Sequence, residues 1–101
     1  MASRLDFQQK LEELLGSRQV YYQPPASVKL QYPCIVYSLS DASTMLADNQ
    51  VYNHTYCYKV TLIDKDPDSR YRDSLLKFPK SSFNTSYTAD NLHHDVFAIY
   101  F

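Results

Sequence analysis

Three aspartates in five positions, Asp64, Asp66 and Asp68 of LIDKDPDSRY, form a dense cluster of candidate ligands in this 101-residue chain. Their alternation matches the opening of an EF-hand loop, whose carboxylates converge on calcium. That loop requires glycine at its sixth position and a bidentate glutamate at its twelfth. Counted from Asp64, those positions hold Ser69 and Leu75. Both requirements fail. The stretch reads instead as a chain reversal: Asp64 ends a strand, Pro67 fixes a turn, and Asp68 or Ser69 caps the next helix. A side-chain oxygen there meets unpaired helix amides.

Other chemistry is thinner. Cys57 and His54 share a strand, but an offset of three sends their side chains to opposite faces. His93, His94 and Asp95, with Asp48 or Asp90 to complete the set, could supply metal ligands for a small metal-dependent hydrolase. Adjacent residues of a strand diverge, however, so one site would capture only one of the two histidines. Gly16 is the single glycine, which leaves no glycine-rich phosphate loop. The balance points to a protein that is not an enzyme and carries no cofactor.

The elements that would position these residues follow from the composition. Hydrophobic residues make up 45% and charged residues 21%, the balance of one globular domain over residues 1–101. A net charge of −1 lacks the basic surface that broad nucleic-acid affinity needs. No apolar run approaches the ~20 residues of a membrane span, and MASRLDFQQK lacks the core of a signal peptide. Synthesis in the cytoplasm is therefore expected, with Cys34 and Cys57 as reduced, buried small hydrophobes and the sequons at Asn53 and Asn84 uninformative. Ten tyrosines and five phenylalanines favour a sheet and a surface that meets protein.

SRLDFQQKLEELLG predicts a helix, capped by Ser3, with Phe7, Leu11, Leu14 and Leu15 on one face and Gly16 at its end. VYYQPP is a short extended piece. Residues 34–40 and 54–64 alternate as strands, and the second carries apolar residues on both faces, which places it centrally. RYRDSLLKF is a second helix closed by Pro79. SSFNTSY and HDVFAIYF are two last strands around a turn at TADN. This order predicts an α+β fold: a mostly antiparallel sheet of four to five strands with two helices on one face. Ile35, Val60, Leu62, Phe97 and Ile99 are the expected core. Between Asp41 and Asn53 the pattern dissolves into a long loop, where Met45, Leu46, Val51 and Tyr52 are the candidate partner-interface residues.

Several phrases together resemble the tail terminator or tail completion proteins of long-tailed bacteriophages. They are VYYQPP at 20–25, YPCIVY at 32–37, ADN at 47–49, YKVTLIDKDPDS at 58–69 and YTADNLHHDVFAIY at 87–100. The resemblance covers most of the chain after the first helix. It implies a compact α/β subunit of a homo-hexameric ring at the head-proximal end of the virion tail. Such a ring caps the tail tube, stops its polymerisation and joins the tail to the head–tail connector. Its partners would be copies of itself, the tail tube protein and the connector protein, with DNA passing through the lumen without specific binding. Head completion and stopper connector proteins of this size are the alternative within the same class. No catalytic residue carries over from the resemblance.

Overall fold

The computed structural model describes the backbone of residues 4–47 and 50–101, and the side chains of 4–40 and 56–101. Helix α1 (Arg4–Leu15) is followed by strands β1 (Val20–Tyr22), β2 (Cys34–Ala47) and β3 (Gln50–Asp64). Helix α2 (Tyr71–Leu76) and strands β4 (Ser81–Ala89) and β5 (Leu92–Tyr100) complete the chain. One five-stranded sheet results, in the order β1-β2-β3-β5-β4. It is an α+β fold in which β1 runs parallel to β2 and every other pair is antiparallel. The parallel edge follows from the 11 residues between β1 and β2, which cross back over the sheet and include a cis Tyr32–Pro33 bond.

The sheet's side-chain rows explain the sequence alternation. Tyr22, Tyr37, Val60, Phe97 and Phe83 face one another across all five strands. Ile35, Val60, Leu62, Phe97 and Ile99 are each fully buried on that face, as the alternation predicts. Both helices cover it: Phe7, Leu11 and Leu15 of α1 and Leu75 of α2 join the same cluster. Phe7 is its hub. Its ring stacks on Tyr58 at 4.8 Å, meets Tyr37 edge-on at 5.5 Å and lies 4.9 Å from Phe101. Gly16 ends α1 at φ 74°, a backbone that L side chains resist, and its amide closes the last turn onto Glu12. Ser3, the expected cap at the other end of α1, lies outside the described residues.

Tyr37 and Tyr58 carry hydroxyls into this core. Tyr37 donates to Gln8 Oε1 and accepts from Arg4 Nη1 at 3.2 Å. Burial raises the pKa of both phenols above the ordinary value of 10.0. Folding is therefore more favourable while the unfolded phenols stay neutral, and stability declines as pH rises above 10. We expect a melting temperature that falls as pH rises above that value, measured by thermal melts across the alkaline range. Tyr37→Phe with Tyr58→Phe should flatten that decline.

Asp95 occupies a core row beside Leu62 and is 2% exposed. A carboxylate there needs compensation. Arg72 of α2 supplies it, with Nε 3.1 Å from Oδ2, while Ser86 Oγ donates to Oδ1 at 2.8 Å. Arg72 Nη2 also donates to the Pro67 carbonyl at 2.7 Å, so one side chain fastens the acidic turn and α2 to β5. Arg72 is 31% exposed. Arg72→Ala should therefore cost about 2 kcal/mol, between the ~3–5 of breaking a buried pair and the ~0–1 of an exposed one. Chemical denaturation of this variant and of Asp95→Asn would measure it, and the Asn variant should lose less.

Candidate assembly surface

The acidic turn is built as a chain reversal. The Asp66 amide donates to Asp64 Oδ1 at 3.1 Å and the Asp68 amide to Asp66 Oδ1 at 2.9 Å, two successive Asx turns. The cap differs in detail from expectation. Arg70 is the N-cap residue and makes no side-chain cap bond, while Ser69 Oγ accepts from the Tyr71 amide at 3.4 Å. Neither Asp68 nor Ser69 is the N-cap residue, because α2 begins at Tyr71, later than the sequence pattern places it. Calcium or magnesium titration should show no saturable heat at millimolar metal. Asp66→Ala should cost about 1 kcal/mol, the worth of one local side-chain-to-backbone bond. Saturable calcium binding would overturn this assignment.

The histidines do not converge. His94 Nδ1 lies 3.1 Å from the Leu92 carbonyl, and its ring stacks on Tyr87 at 4.7 Å. His93, on the opposite face, pairs with Thr88 Oγ1 at 3.3 Å. Asp90 sits with Asn91 in a two-residue hairpin turn, both at positive φ (53° and 63°). Asp48 lies outside the described residues. Among the described residues no group of three His, Cys, Asp or Glu side chains could hold a metal. Cys34 and Cys57 are free and buried. Burial and the nearby Asp64 charge push the Cys34 thiol up to about 12, far from the depressed range of a nucleophile.

The feature that stands out is an arm. Residues 41–47 and 50–53, expected to belong to a loop, lie instead in strands: Met45 and Leu46 in β2, and Val51 and Tyr52 in β3. The β2–β3 ladder runs from Cys34↔Ile63 out to Ala47↔Gln50. Its neighbours stop far short of that end. β1 reaches only Tyr37 of β2, and β5 reaches Cys57 of β3, with the Phe101 and Tyr56 backbones exchanging hydrogen bonds just beyond. Among the described residues, no third strand pairs with 41–47 or 50–55. The protein measures 51 × 25 × 22 Å, with a radius of gyration of 14.5 Å against the ~13 Å usual for this length. Asp48 and Asn49, expected in a turn with Ala47, lie outside the described residues, as do the side chains of Met45, Leu46, Val51 and Tyr52.

Among the described residues, five of the nine exposed large apolar side chains lie at the arm's base or on β4. Leu39, Tyr56 and Tyr100 are 44%, 36% and 41% exposed where the arm leaves the body. Phe83 and Tyr87 are 45% and 49% exposed on β4. That strand is the sheet's long edge and reads SSFNTSYTA, without a charge or a proline. Edge strands of soluble proteins usually carry such residues to discourage further pairing. On the face away from the helices, Pro24, Val28 and Leu30 overhang Val36, Ile63 and the Tyr87–His94 stack, enclosing a groove of about 350 Å³. No helix among the described residues is long and apolar enough to cross a membrane. No family model, curated protein or solved structure matches the chain.

Proposed function

We propose that this chain is a structural subunit of a long-tailed bacteriophage virion, one copy in a ring that closes the head-proximal end of the tail tube. The ring stops tube polymerisation and presents a surface to the head–tail connector. The arm carries this reading. A two-stranded ribbon alone in water is marginally stable, so six residue pairs extending beyond the last β3–β5 pair suit a protein that completes itself against neighbours. The ordered phrases from VYYQPP to YTADNLHHDVFAIY supply the class of assembly. The formal charge of −1 fits a lumen through which DNA slides without adhering.

The reading is tested in a phage lacking the gene. Terminator loss gives filled heads beside free tubes of uncontrolled length, and the purified protein restores joining when added back. Tubes of normal length that fail to attach would assign the chain to a stopper connector instead. Virions of normal yield and form would remove it from tail assembly altogether.

A further inference from the structure

We infer that copies of this chain associate by β-strand addition, the free edge of β2 in one copy's arm pairing with β4 of the next. Two unmet needs lie in different parts of the same molecule. The arm presents ladder groups that no strand satisfies among the described residues, and β4 presents a second open row nine residues long. The irregularities in each ladder select the edges. In the arm, the shift between Met45 and Leu46 places the extra residue, Tyr52, on β3. The opposite edge, residues 41–47 of β2, therefore runs without an inserted residue. In β4 the extra residue is Asn84, so 85–89 is the regular stretch.

The direction of the free groups follows from the hairpin. Counting from the two-residue turn, Ala89, Tyr87 and Thr85 stand in the hydrogen-bonded pairs with β5. The amides and carbonyls of Thr88 and Ser86 therefore point away from the sheet, ready for another strand. Charge does not oppose the union, since 85–89 has none and 41–47 has only Asp41. The exposed Leu39, Tyr56 and Tyr100 at the arm's base, with Tyr87 on β4, supply apolar surface beside both edges. A β4–β4 pairing by a two-fold axis would cover only one of the two open rows and leave the arm's row, unpaired among the described residues, without a strand. An arm-to-β4 contact is heterologous, the kind that propagates and closes into a ring. In that respect it deepens, and rests on, the ring reading.

The test uses single cysteines in the full chain, the native Cys34 and Cys57 being buried, with the parent chain treated alike as the control. Thr85→Cys protein is mixed at millimolar concentration with Ala42→Cys, Thr44→Cys or Leu46→Cys protein and treated with a short bismaleimide. Expected are mixed 85-to-arm products that disappear when the Thr85→Cys chain also carries Thr88→Pro, which removes an outward amide, and survive with Thr88→Ala. Should Thr88→Pro fail to fold, the pairing pattern of the cysteines alone decides. Products linking only 85 to 85 would overturn the arm as occupant. Larger species without either product would overturn strand addition and leave the ring reading to other contacts. A chain that stays monomeric and unlinked would also overturn the inference, while add-back to free tubes still tests the ring.

Discussion

Val60→Asp is expected to yield no folded protein. Val60 is fully buried on β3, the middle strand of the sheet, between Tyr37 on β2 and Phe97 on β5. An ionised carboxylate there would lie among Phe7, Tyr37, Leu62 and Phe97, all of them core side chains. Arg72, which neutralises the buried Asp95, is already held by that carboxylate and by the Pro67 carbonyl. An unpaired buried charge costs several kcal/mol, against a total stability of ~5–15 kcal/mol for a domain. Val60→Ala removes volume without adding charge and should cost only about 2 kcal/mol, leaving a folded protein with a lower melting temperature. Soluble Val60→Asp with an unchanged melting curve would displace β3 from the centre of the core.

How far the fold can be read from the residues depends on whether the deciding interaction is periodic. Phe7, Leu11 and Leu15 recur at helical spacing, and all three are buried in α1. Val60, Leu62, Cys57 and Ile63 alternate around a strand buried on both faces, so the central place of β3 is legible. The arm is not, because a bulge shifts the alternation by one residue. Extra residues at Ser40 and Tyr52 interrupt β2 and β3 just where the pattern dissolves. The parallel run of β1 is equally hidden, since three residues of VYY say nothing about which strand they meet. Asp95 reads as part of a possible ligand set because its partner, Arg72, lies 23 residues away on a helix. The open edge of β4 left a usable signal, nine strand residues without charge or proline. Its meaning needed the strand order, which puts β4 outermost.

Met45→Asp combined with Leu46→Asp is expected to leave the fold intact and abolish assembly. Both positions lie on β2 near the end of the arm, opposite Asn53 and Val51, well beyond the last residues that β1 and β5 reach. Their backbone lies beyond the parts of β2 and β3 that pair with β1 and β5, so the melting curve should move by no more than a few degrees, the scale of ~1 kcal/mol in a domain of this length. Assembly is another matter. Two carboxylates placed on the stretch that would join a neighbour must lose water or hold the strands apart, and charges on an edge are how soluble proteins prevent pairing. Desolvating them costs several kcal/mol, and each ~1.4 kcal/mol is a tenfold loss of association, so joined particles should fall by about a hundredfold or more. Phage carrying the double change should accumulate filled heads and free tubes of uncontrolled length, which electron microscopy of a lysate would count. The conservative pair Met45→Leu with Leu46→Met should restore virions, because it keeps the apolar character of the stretch and adds no charge. Normal virions from the aspartate pair would end the arm's role in assembly and shift attention to the groove beneath Pro24 and the exposed aromatics of β4.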